Sequence, residues 1–170
     1  MPISDDTFAW RRNLQHLQKR GKTYFVTFCT LGREPLSPEH RDIALDVCVF
    51  GHLRQYWLHC VVIMPDHVHL IFTLYEQFML SKAMQRIKSV SAHQIGHPTW
   101  QREYFDRALR SDEDLQKKCE YVCANPVRAG LVETVDEYRW IWRWWQERQN
   151  AQSRAGEAAG APLRPSPGPD

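Results

Sequence analysis

Apolar and polar positions change rhythm several times along the chain, and each change marks an element. The run YFVTFCT (24–30) is rich in β-branched and aromatic residues and predicts a strand. Ser37 can then cap a helix, Pro38 suits its first turn, and Ile43, Val47 and Phe50 recur at helical spacing. That helix should end between Gly51 and Gln55. WLHCVVIM (57–64) and HVHLIFTL (67–74) read as two more strands, and Pro65-Asp66 between them fits a tight connection, so together they predict a hairpin. From Leu80 to Ile95, the apolar residues Leu80, Ala83, Met84, Ile87, Val90 and Ile95 share one side of a helix, and Lys82, Arg86, Ser89 and His93 share the other. EYFDRALR (103–110) reads as a short fourth strand. Ser111 with Asp114 three positions on, a variant of the capping box, opens a last helix that Pro126 limits. The order β-α-β-β-α-β plus an extra helix predicts an α+β fold of ferredoxin-like or RNA-recognition type, with an antiparallel sheet.

Composition refines this picture. A chain of 170 residues suits one hydrophobic core. The pattern divides it into a basic arm over 1–22, one domain over 23–149, and a tail over 150–170 whose Ala, Gly and Pro content predicts disorder. No apolar run is long enough to cross a bilayer and MPISDDTFAW lacks the features of a secretory signal, so a cytoplasmic location is expected. The five cysteines, odd in number and without paired Cys-x-x-Cys spacing, suggest reduced thiols that pack as small apolar residues. Net charge is only +2, but no acidic residue falls between Asp6 and Glu34, where Arg11, Arg12, Lys19, Arg20, Lys22 and Arg33 accumulate. Such a one-signed stretch suits a polyanion or a solvated arm. The Lys82 and Arg86 stripe likewise suits phosphate contacts or a solvated helix face.

The stretch VVIMPDHVHLIF (61–72) sets two histidines into an apolar run. On a strand, residues i and i+2 share a face, so His67 and His69 stand side by side while Val68 points into the core with Leu70 and Phe72. Two imidazoles begin a cation site without completing one; a pair of half-exposed strand histidines is the plainer account. In the last helix, Tyr121 and Asn125 lie four apart with Lys118 on the same stripe, beside an anchoring stripe of Leu115, Cys119 and Val122. A tyrosine one turn from an amide oxygen and next to a lysine has the parts for metal-assisted nucleophilic chemistry.

MPDHVHLIF, WQREYFDRALR and YVCANPVRAGLV, in that order and spacing, resemble the REP-associated tyrosine transposases of bacteria, relatives of the single-tyrosine HUH transposases of small insertion sequences. The resemblance runs from about Tyr24 to Trp140. It implies a catalytic domain over 23–149 that nicks and rejoins single-stranded DNA at REP hairpins, serving DNA transposition or recombination. Carried over by residue, His67 and His69 are the metal-binding pair, Tyr121 is the nucleophile and Asn125 completes the metal site. The resemblance also implies Mg²⁺ or Mn²⁺ as cofactor and a monomer with the tyrosine acting in cis, a dimer staying open. After Trp140 the pattern has no counterpart, and YRWIWRWWQERQ (138–149), with its four tryptophans, reads either as packing or as a cover over a DNA groove.

The expected chemistry follows. A divalent cation held by His67, His69 and Asn125 would orient and polarise a scissile phosphate. The Tyr121 oxygen would attack phosphorus, giving a 5′-phosphotyrosine and a free 3′-hydroxyl. Because a free phenol has a pKa of about 10, positive charge from the metal and Lys118 would favour the phenolate. Lys118, Arg11, Arg12, Lys19, Arg20, Lys22, Lys82 and Arg86 are the candidate DNA phosphate contacts. Two rivals remain: a non-catalytic RNA-recognition-type binding module, whose stacking aromatics are weak on a strand face that carries His67 and His69, and a phosphodiesterase that uses water.

Overall fold

The structure, a computed structural model, describes residues 20–110 and 114–147. Its elements are β1 (Arg20–Cys29), α1 (Pro38–Phe50), β2 (Tyr56–Ile63), β3 (His67–Tyr75), α2 (Leu80–Ile95), β4 (Phe105–Ala108), α3 (Leu115–Cys123), the single turn α4 (Asn125–Arg128) and β5 (Ile141–Arg143). The strands form one antiparallel sheet in the order β4-β1-β3-β2-β5. The first four strands have the ferredoxin-like arrangement expected from the element order.

Local chemistry accounts for most boundaries. The Ser37 hydroxyl accepts a hydrogen bond from the His40 N–H, with Pro38 in the first turn, and caps α1 as read from the sequence. Gly96, at φ 94°, closes α2 in the left-handed conformation that glycine adopts without strain. Four boundaries differ from the reading. The helix that carries Tyr121 ends at Cys123, and Asn125 opens a separate turn, α4, with Pro126 inside it. β1 starts at Arg20, so Arg20 to Lys22 belong to the sheet; a Cβ at Gly21 would collide with the Leu74 carbonyl, which is how the backbone fits there. The cap of α3 is Asp114, whose carboxylate accepts from the Lys117 N–H, while Ser111 lies outside the described residues. The tryptophan-rich segment contains a strand, β5, that pairs with the β2 edge.

The sheet is covered on both faces. On the first, Val68, Leu70 and Phe72 of β3 pack with Val26 and Phe28 of β1 and with Ala83, Met84 and Ile87 of α2. On the second, Leu115, Cys119, Val122 and Cys123 of α3 pack on Cys60 and Val62 of β2 and Ile71 of β3. A register shift between Leu58 and Cys60 switches the side chains of β2: Leu58, Val61 and Ile63 serve the first core, Cys60 and Val62 the second. Cys48, Cys60, Cys119 and Cys123 are buried free thiols, as expected for cysteines used as packing.

The tryptophans act as packing too. Trp140 lies under the Arg41 guanidinium, 3.5 Å from the ring centre, and its indole N–H donates to Asp42 at 2.9 Å. Trp144 meets Trp57 at 4.5 Å between ring centres. The described part of this segment thus secures the sheet edge beside β2, the edge opposite β4.

Candidate active site

β3 presents His67 and His69 on the second face, the one that α3 covers, while Val68 and Leu70 enter the first core. Register places Thr27 opposite His69 and Cys29 opposite His67. The two imidazole centres are 4.7 Å apart. Each Nδ1 is engaged by a neighbour: Asp66 Oδ1 at 2.6 Å from His67, and Thr27 Oγ1 at 2.7 Å from His69. This leaves Nε2 of each ring as the nitrogen not used in those bonds. A carboxylate behind an imidazole is the outer-shell pattern that orients metal-binding histidines.

Asp66 is itself fixed from three sides. Its other carboxylate oxygen pairs with Arg33 Nε at 2.9 Å, and its carbonyl accepts from the Thr30 N–H at 2.9 Å. Arg33 adopts φ 60°, rare for a residue with a side chain. Partial burial pushes the Asp66 carboxyl up, but the His67 hydrogen bond, with His67 and Arg33 charge, outweighs it and holds the group below its usual value.

Burial, with smaller contributions from the charges of His67, Arg128 and Arg33, lowers the His69 pKa from 6.5 to about 4, so this ring is neutral at pH 7, as a ligand must be. Burial also lowers His52 from 6.5 to about 4, where it sits among Trp57, Trp142 and Trp144. Between these values the unfolded chain binds more protons than the folded one. Stability is therefore expected to fall as pH drops from 6.5 towards 4 and to vary less, from this source, below that. A melting-temperature series across the window checks this; a level profile would contradict it.

Tyr121 projects from α3 with 61% of its surface exposed. Lys118 Nζ lies 5.6 Å from its ring centre and 5.3 Å from that of Phe25. Phe25 in turn stacks on His69, with ring centres 5.8 Å apart and planes at 24°. A continuous set of contacts thus links Tyr121, Lys118, Phe25 and His69 within one chain. Arg128 adds a clasp: its guanidinium sits 4.1 Å from the Tyr121 ring centre, donates to the Tyr121 carbonyl at 2.8 Å, and donates to Asn125 Oδ1 at 2.7 Å.

The two imidazoles suit a divalent cation in type and in their side-by-side spacing. Asn125 has an oxygen of suitable chemistry, but that oxygen accepts from Arg128 here, and the amide N–H donates to the Val122 carbonyl at 2.7 Å. No group of three or more His, Cys, Asp or Glu side chains among the described residues is arranged to hold a metal ion. Among the described residues, a third ligand for the two histidines would be a group such as Asn125.

Of the basic residues singled out, Lys118 joins the histidine face. Lys82 and Arg86 are exposed on α2, across the sheet from the histidines, and Lys22 is exposed on β1. Arg11, Arg12 and Lys19 lie outside the described residues, and Arg20 is placed only by its backbone in β1. Sequence reasoning missed four participants. Asp66 was visible as the residue before His67 but read only as a turn former. Arg128 lies inside the YVCANPVRAGLV stretch without a role. Thr27 and Phe25 come from strand pairing, which no local signal reveals.

Residues 50–125 match the family described as Transposase IS200 like. A REP-associated tyrosine transposase of Escherichia coli (strain K12) is 26% identical over 123 residues, spanning 70% of this chain and 74% of the relative. A provisionally designated REP-associated tyrosine transposase of Haemophilus influenzae is 29% identical over 94 residues, 46% of this chain and 53% of that protein. Among solved structures, a REP-associated tyrosine transposase bound to a REP hairpin superposes with a TM-score of 0.62 at 23% identity, covering 76% of this chain and 81% of that one, and so shares the fold.

Proposed function

The chain is a relative of the REP-associated tyrosine transposases, and from that premise we propose that it cleaves and rejoins single-stranded DNA at REP-type hairpins, with Tyr121 as nucleophile. The observation that carries this reading is the contact set from Tyr121 through Lys118 and Phe25 to His69. It gathers a solvent-accessible phenol, a cation and two oriented imidazoles on one face of one chain, which favours a tyrosine that acts in cis.

The Tyr121 oxygen attacks phosphorus, and the bond from phosphorus to the 3′ oxygen breaks. The products are a 5′-phosphotyrosine and a free 3′-hydroxyl, which can attack in reverse or be replaced by another strand end. Lys118 supplies positive charge over the Tyr121 ring, 5.6 Å from its centre. Asp66 and Thr27 fix the two imidazole rings so that both Nε2 atoms are available. A bound Mg²⁺ or Mn²⁺ held by His67, His69 and Asn125 would supply charge to the non-bridging phosphate oxygens. Asn125 can take part once Arg128 releases its oxygen, and an entering phosphate is a competing partner for that guanidinium.

The reading is tested with a labelled single-stranded REP hairpin, Mn²⁺ and a chelator control on a denaturing gel. A covalent protein–DNA adduct that the chelator removes is the expected result. Specific binding with no adduct across several hairpins would overturn it in favour of a non-catalytic module.

The same reading gives Asp66 a measurable part. Asp66→Asn removes the carboxylate behind His67, and Mn²⁺ affinity should fall by roughly tenfold to a hundredfold. Titration calorimetry checks this; unchanged affinity would show that Asp66 serves the turn alone.

A further inference from the structure

β4 is exposed along its length, and on it stands an aromatic residue that the chemistry above does not use. Phe105 pairs with Thr27, which pairs with His69, so strand register puts Phe105 on the histidine face. The residue is 58% exposed, and its ring meets Phe25 edge-on, with centres 6.2 Å apart and planes at 66°. Phe25 is the ring that stacks on His69. The result is an aromatic ledge, His69 to Phe25 to Phe105, running from the histidines to the sheet edge.

Exposed apolar residues are common and taken singly need no explanation. Phe105 differs from Phe50, Leu53 or Met79, which are also exposed, in continuing a row of rings out of the candidate active site. The row is flanked by positive charge. Lys118 lies over Phe25, and Arg107, opposite Phe25 in register, shares the face. Apolar rings bordered by cations fit a single strand, whose bases offer flat faces and whose phosphates are anionic, better than they fit a peptide or a duplex. Phe25 on β1, a strand inside the sheet, also supplies a ring on the strand face where base stacking takes place in sheet-based readers of single strands.

We propose that Phe105, backed by Phe25, is a stacking platform for an unpaired nucleobase next to the scissile phosphate. It holds the strand against the sheet so that the phosphate meets Tyr121. This assignment rests on the reading of the site as one that acts on single-stranded DNA. The contact is sequence-tolerant, because every base has a π-face, so Phe105 contributes affinity and registration rather than base identity.

The test uses the full chain carrying Tyr121→Phe, which keeps the DNA intact, and REP hairpin oligonucleotides with 2-aminopurine placed in turn at each unpaired position. Wild-type Phe105 should quench the fluorescence at one position beside the cleavage site. Phe105→Ala should abolish that quenching and weaken binding about tenfold, and Phe105→Trp should restore both. Phe105 is exposed, so loss of fold does not account for such a change, and rescue by tryptophan separates stacking from a merely structural role. Equal quenching and affinity in Phe105→Ala, or no quenched position in a chain that binds, would overturn the platform. Neither readout needs cleavage, so failure of the tyrosine chemistry would appear separately as a missing adduct in the chain with Tyr121 intact.

Discussion

Tyr121→Phe is expected to remove covalent strand cleavage, by about a thousandfold or more, while hairpin binding stays near its original strength. The substitution deletes one oxygen and keeps the ring, and Arg128 and Lys118 approach that ring over its face. With the residue 61% exposed, little packing depends on the hydroxyl. Binding by gel shift and adduct formation on a denaturing gel, measured on the same preparation, separate the two effects. Loss of both together would contradict the assigned role, because it would make Tyr121 a structural or DNA-binding residue.

Phe72→Ala should produce the largest loss of stability, about 3–5 kcal/mol. Phe72 is fully buried on β3, with ring centres 4.8 Å from Tyr56 and 6.3 Å from Tyr24, so neighbouring rings bound on both sides the space it would leave. A domain stabilised by roughly 5–15 kcal/mol cannot lose that amount without a large shift in its urea midpoint. A shift equivalent to less than about 1 kcal/mol would mean that the core collapses around the truncation, at odds with so enclosed a position. The effect bears on function because β3 also carries His67 and His69.

Much of this arrangement was legible in the sequence where a periodicity was long enough to speak. The 16 residues of α2 and the alternation around His67, Val68 and His69 gave both elements and their buried sides. The anchoring stripe of α3 is buried as read, through Leu115, Cys119 and Val122. β5 was not legible, because three residues set no period and their partner on β2 lies some eighty positions away in the chain. The Lys82 and Arg86 stripe was correctly placed on the solvent side of its helix. Helical periodicity does not say which sheet face a helix covers, and α2 lies across the sheet from the histidines. The site was half legible for the same reason: the side-by-side histidines follow from strand geometry, whereas Thr27, Phe25 and the Arg128 clasp arise from contacts made only after folding.

The measurement that bears most directly on the central claim is peptide mapping by mass spectrometry of the protein after reaction with a cleavable single-stranded hairpin and Mn²⁺. A nucleotide phosphate attached to Tyr121, released together with a strand that ends in a 3′-hydroxyl, is the result predicted here. Cleaved strands with no modified peptide would assign the chemistry to water, and a modified residue other than Tyr121 would contradict the site itself.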